Sequence, residues 1–311
     1  MIIELDRTGT VDAFGRILER TAGHAGVRSL FVLAADGNGF TPAQVDPILT
    51  RLSLPVFGGI FPEILHGTEH LPTGTLVLGL AEETCVEVIP GLSDEHADYE
   101  QLIDEKLASC PQHGTMFVLV DGFAARIGAL IESLFAVFGL DLNYIGGGAG
   151  SLSSLGVGPK PCLLTNQGLL LDCAVLALSS IHSGVGVSHG WKDVSGPYQV
   201  TRSRGTVIEE LDRAPALDVY RKVVEARTGE PLTAEGFFAL AKGFPFGIGK
   251  LGEEKIVRDP IAMTADGALV CVGEVPQGGF VHILEGDAET LVAAARKAIE
   301  LGTAAYDGPE R

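Results

Sequence analysis

TMFVLVDGF at residues 115–123, the helical pattern that follows it to Phe138, and LNYIGGGAG at 142–150 decide the reading of this chain. Phe117–Val120 is a short continuous apolar run, the mark of an interior strand covered on both faces. It ends in Asp121-Gly122. From Phe123 the apolar residues fall at 123, 127, 130, 131, 134, 135 and 138, steps that draw one stripe along a helix. Gly139 supplies the stop. A second apolar strand then ends in glycines.

The same order occurs upstream. SLFVLAADGNGF starts at Ser29, a helical segment spans Thr41–Leu52, LPVFGGIFP starts at Leu54, and TLVLGLAEETCVEVIPG starts at Thr75. LDCAVLALSSIHSGVGVSHG, from Leu171, completes the downstream copy. Each copy reads as a strand ending in Asp-Gly, a helix, a strand ending in paired glycines and a longer strand pair. Residues of about 29–91 and 115–190 are therefore read as a duplication. In the first copy Thr41 is suited to cap a helix with Pro42 in its first position, and Pro47 makes that helix start late or kink. Ala97–Ala108 reads as a linking helix with Tyr99, Leu102, Ile103 and Leu107 inward.

After Trp191 the pattern changes. Tyr198–Thr201 reads as a strand, Ala216–Arg227 as a helix closed by Gly229, and Thr233–Lys242 as another helix. Glu254–Arg258, Ala268–Glu274 and Gly279–Glu285 read as strands, the last two joined as a hairpin through Val-Pro-Gln-Gly. Asp287 is placed to cap a final helix over Glu289–Leu301. The expected fold class is α/β, with duplicated β-α-β-β units forming a two-part N-terminal domain over 1–195. A smaller α+β domain follows over 196–304, then a polar tail at 305–311.

Acidic residues outnumber basic ones 40 to 22 in the 311-residue chain, a net charge of −18, which demotes nucleic acid and anionic membrane as partners. MIIELDRTGT at the start has neither a basic segment nor an apolar run suited to secretion, and no stretch has the length of a membrane span. The expectation is a cytoplasmic protein. Its five scattered cysteines, with no CxxC among them, are expected to be reduced and mostly buried.

Local motifs announce no catalysis. IGGGAGS, 145–151, exposes glycine N–H groups that can take an anion, yet it lacks the lysine of a P-loop and opens no helix. GVGVSHG, 184–190, lies in a strand pattern, and tight turning accounts for its glycines. His66 and His70 have a zinc-like spacing, but Gly67 and Pro72 spoil the helix and a third ligand is lacking; His182 and His189 flank a strand. No GxSxG elbow is present, and Ser151, Ser153, Ser154 and Ser183 read as turn or ligand-contact hydroxyls. Asp121-Gly122 stands at a strand's carboxyl end, where α/β sheets bind ligands, and Asp121 is equally placed to cap the following helix. Arg258, closing the strand in KIVRDP, can clamp a carboxylate or pair with an internal acid; Arg202 and Arg204 are weaker versions of the same. No metal or cofactor is expected.

The series FVLVDGF, IGGGAGS, GW, VTRSRGTVIEELDRAPALDVYRKVV and IVRDPIAMTADGALVCVGEVPQGGFVHIL resembles the FIST proteins, with FIST N over about Ser29–Gly190 and FIST C over about Gly196–Ala294. Ser151 departs from the family pattern, which often has an acidic residue there. The resemblance implies a sensory module that binds a small ligand such as an amino acid and that signals by contact with a protein partner. The residues expected to bind the ligand are Asp121, Gly122, Gly147, Gly148 and Ser151, with Arg258 facing them from the second domain to hold a carboxylate. A second reading is an enzyme using the same cleft with an acid such as Asp121 as base. A third is an adaptor, which requires an exposed apolar patch.

Overall fold

One chain path is followed twice to build residues 1–183. It runs strand, helix, strand, helix, strand, hairpin, strand. The first round is β1 (Ile2–Asp6), α1 (Val11–Ala22), β2 (Ser29–Ala35), α2 (Pro42–Leu49), β3 (Val56–Phe61), the hairpin β4 (Ile64–His66) and β5 (Glu69–Leu71), and β6 (Thr75–Leu80). The second is β7 (Thr84–Pro90), α3 (Tyr99–Leu107), β8 (Gly114–Asp121), α4 (Ile127–Phe138), β9 (Leu142–Ala149), the hairpin β10 (Leu163–Thr165) and β11 (Gly168–Leu170), and β12 (Cys173–Ser179). This computed structural model describes residues 1–151, 158–249, 254–306 and 308.

The two sheets share one neighbour order, β1-β6-β2-β3 and β7-β12-β8-β9. In each the last two strands are parallel and the other pairs antiparallel. The sheets pack face to face through Phe31 and Phe57 of the first, whose rings lie 5.5 and 5.2 Å from that of Phe117 in the second. Alternate residues turn the other way. Leu30, Val32 and Val56 join a core with Phe14, Leu18, Val45 and Leu49 of α1 and α2. Met116, Val118 and Val120 join one with Ile103, Leu130 and Leu134 of α3 and α4. Each such fully buried side chain contributes about 1.5–3 kcal/mol.

Local signals set the helix starts. Thr41 and Gln44 form a reciprocal capping box with Pro42 in the first turn. The eight-residue α2 runs through Pro47. Asp98 caps α3 by accepting from Gln101 N. Three expectations change here. The helix expected from Phe123 begins at Ile127, because Asp121–Arg126 turns first, and Phe123 is partly exposed. β7, read from sequence as the end of the first copy, opens the second and pairs with β12. The segment 180–191 after β12, expected as strand, joins no sheet. Strand register also shows that the two Asp-Gly turns are not equivalent: Asp121 stands where Ala35 does, each opposite the last residue of the parallel neighbour.

Cys85 on β7 and Cys110 after α3 form a disulfide, Cα atoms 5.7 Å apart, correcting the expectation of five reduced thiols. Their sequence separation of 25 hid the pair; α3 carries the chain back to the strand. Cys162, Cys173 and Cys271 are free and buried.

Residues 184–311 form a second compact unit. Its elements are β13 (Lys192–Arg204), β14 (Val207–Leu211), β15 (Ala214–Pro215), α5 (Ala216–Thr228), α6 (Phe237–Ala241), β16 (Phe246–Ile248), β17 (Ile256–Arg258), β18 (Pro260–Met263), β19 (Leu269–Cys271), β20 (Phe280–Glu285) and α7 (Ala288–Ala304). The antiparallel sheet runs β17-β16-β20-β13-β14-β19-β18, with β15 on β14. Ser195, where the sequence suggested a boundary, lies inside β13. The expected β19–β20 hairpin does not form: β19 pairs with β14 and β18, β20 with β13 and β16. The buried Tyr220 of α5 anchors this core, its hydroxyl donating to Phe244 O at 2.7 Å. Gly229 ends α5 in the left-handed conformation.

Candidate functional site

The parallel strands β8 and β9 finish level, Asp121 opposite Ala149. Ligands of α/β sheets bind beyond such carboxyl ends. Gly122 N donates to Ala149 O at 2.8 Å, drawing the two strand ends together. A β-carbon at Gly148 would sit 3.1 Å from Gly122 Cα, so the convergence relies on glycine. A β-carbon at Gly146 would fall on the carbonyl oxygen of Val118, whereas at Gly147 it would meet open space. Gly150 N donates to Ile60 O at 2.8 Å, and Ser151 follows, buried. Five of the six residues expected from sequence thus share one neighbourhood of the first unit.

Asp121 is 2 % exposed and both its oxygens are engaged. Oδ1 accepts Phe123 N and Oδ2 accepts Asp172 N, each at 3.0 Å. Its carboxylate organises the loops at this end. Asp172, at φ 49°, accepts a hydrogen bond from Ser93 Oγ at 2.6 Å, and Ser93 Oγ accepts Ala125 N at 3.0 Å. Arg126 donates to the carbonyls of Asp94 and Ala97 at 2.6 and 3.2 Å and lies over the Tyr99 ring. Sequence reasoning missed Ser93, Arg126 and Asp172, since none belongs to a motif and their partners lie tens of residues away. Cys162 and Cys173 are close enough to feel Asp121; burial first, and that negative charge second, push both thiols up, Cys173 to about 12. Neither is a thiolate nucleophile at neutral pH.

Arg258 belongs to the second unit. Its Nε donates to Glu274 O at 2.9 Å and its Nη1 to Val257 O at 3.1 Å, against Gly273. Burial pulls the guanidinium below its ordinary value. Arg202 pairs with Glu209 and Glu210, and Arg204 with Glu209 at 2.7 Å.

The remaining motifs have structural roles. Gly184, Gly186 and Gly190 let the 184–190 segment lie directly on α7, where β-carbons would strike the backbone of Gly302, Ala298 and Thr290. Close helix packing, rather than turning within a strand, accounts for GVGVSHG. His66 and His70 sit on the β4–β5 hairpin, His70 against Glu63. His189 Nε2 lies 3.0 Å from Glu254 and its Nδ1 accepts Trp191 N. Ser183 Oγ meets Thr115 Oγ1 at 2.7 Å; Ser153 and Ser154 lie outside the described residues. Among the described residues no group of three His, Cys, Asp or Glu could hold a metal ion, and no helix is long and apolar enough to cross a membrane.

A family model described as the FIST N domain matches residues 30–214, and one described as the FIST C domain matches 216–307. The chain belongs to the FIST family. The FIST N match runs past the first compact unit, through β13 and β14 of the second. FIST domains are associated with sensing and signal transduction. No curated protein matches the chain.

Proposed function

We propose that this FIST protein is a cytoplasmic small-ligand sensor that binds an amino acid or another small carboxylate and passes the signal to a protein partner. The observation that supports the reading is the convergence of Gly122, Gly147, Gly148 and Ser151 at the carboxyl ends of β8 and β9, where exposed glycine backbone can take a polar ligand group. Asp121 fixes the adjoining loops by holding the amides of Phe123 and Asp172.

The test is a thermal-shift screen of the full chain against amino acids, small carboxylates, nucleotides and divalent metals. A ligand at a hundred times its dissociation constant adds about 2.7 kcal/mol. An amino-acid or small-carboxylate shift supports the reading. No shift with any carboxylate ligand overturns it.

A further inference from the structure

The internal repeat presents one sheet edge twice: a strand covers it at β3, and among the described residues none does at β9. In the first copy β10 lies antiparallel on β3, with Leu163 opposite Gly59 and Thr165 opposite Phe57. The outward amides of β3 are met: Ile60 N donates to Cys162 O at 2.7 Å and Val56 N to Asn166 Oδ1 at 2.7 Å. The hairpin also reaches α2, where Leu169 N donates to Asp46 Oδ1 at 2.8 Å. Leu163 and Leu164 are fully buried by this double contact.

Gly146 and Gly147 of β9 are the counterparts of Gly58 and Gly59. Each leading glycine stands opposite a valine of the parallel neighbour, Val118 or Val32, whose carbonyl oxygen leaves no room for a β-carbon. By the same register Gly148 matches Ile60. Strand alternation therefore points the amides of Gly146 and Gly148 away from β8. β9 ends its sheet, and no backbone hydrogen bond among the described residues meets these two amides on that side. Gly146, Gly147 and Gly148 are exposed. Apolar side chains beside them are exposed too: Ile145 at 37 % and Phe135 of α4 at 45 %, its ring 4.9 Å from that of Tyr144. Of the sequence devices that protect an edge, proline, lysine and an inward charge are all missing from LNYIGGGA.

We propose that the outer edge of β9 binds an extended peptide segment of a partner protein, added antiparallel as a fifth strand of the second sheet. The occupant has the chemistry of β10: backbone groups that meet the amides of Gly146 and Gly148, and alternating apolar side chains. One set faces Phe135 and Tyr144 on the α4 side, and the other faces Ile145. This surface is the long edge of β9; it shares Gly147 and Gly148 with the carboxyl-end position assigned to a small ligand but rests on the register and exposure of the edge, and it stands without that assignment.

The probe is a synthetic peptide of residues 161–170 with Cys162→Ser and two added terminal lysines, the segment that fills the equivalent edge. Amide exchange is followed by NMR on the full labelled chain. In the free protein Gly146 and Gly148 should exchange far faster than Gly58 and Ile60. Saturating peptide should slow both by about tenfold or more, the scale of one ladder hydrogen bond. Phe135→Ser should weaken peptide binding by about tenfold while leaving any amino-acid thermal shift intact, so the two readings fail separately. Gly147→Ala, whose added methyl meets open space, should leave peptide binding unchanged. Protection of Gly146 and Gly148 in the free protein equal to that of Gly58 and Ile60 overturns the proposal. So does an absence of binding at the peptide's solubility limit, or binding indifferent to Phe135→Ser.

Discussion

Asp121 Oδ2 accepts the backbone N–H of Asp172 at 3.0 Å, tying the end of β8 to the residue that turns the chain into β12. The other oxygen holds Phe123 N, so one buried carboxylate fixes two loops. Asp121→Ala leaves both amides without their acceptor and should cost about 3 kcal/mol. A urea titration should show a lower midpoint with an unchanged slope. An unchanged midpoint would show that the loops hold without it.

Gly146 and Gly147 are neighbours with opposite tolerance. At Gly146→Ala the new methyl meets the Val118 carbonyl, backbone that cannot step aside, so the loss should be about 3 kcal/mol or more. Gly147→Ala points into open space and should stay within about 0.5 kcal/mol of the parent. Thermal melts of the two variants side by side test the register of β9 directly. Equal effects would contradict it.

Thiol titration in denaturant reads the Cys85–Cys110 pair. Three thiols should react before reduction, those of Cys162, Cys173 and Cys271, and all five after it. Reduction should lower stability by about 3 kcal/mol for a loop of this size. Five reactive thiols before reduction would show that the bond does not form.

Asp259 gives a pH dependence of definite sign. Burial raises its carboxyl above the ordinary value, and the neighbouring Arg258 offsets only part of that. Between its unfolded and folded values the folded chain binds more protons, so stability falls as pH rises through that window and stays lower above it. Asp259→Asn should therefore melt higher than the parent at neutral pH. The gain should shrink as pH drops below the ordinary carboxylate range. A melting difference that does not change with pH would remove Asp259 as its source.

Apolar periodicity determined much of this protein. The runs Phe31–Ala34 and Phe117–Val120, the caps at Thr41 and Asp287, and the glycine after α5 are local signals that the backbone obeys wherever the chain goes. The FIST resemblance was also legible, because VTRSRGTVIEELDRAPALDVY is a pattern that composition does not produce. Tertiary structure alone decided which strands became neighbours. β7 joined β12 and not the first copy, since pairing depends on which edge is free when the sheets face each other. β20 left its sequence neighbour β19 for β13 for the same reason. The anchoring partners of Asp121 also lay beyond sequence: Phe123 N is local, but only the fold brings Asp172 N to the same carboxylate. Gly58 and Gly146 read alike in sequence as members of glycine runs. Only packing brought a hairpin onto the edge of β3, while among the described residues no strand pairs with the outer edge of β9.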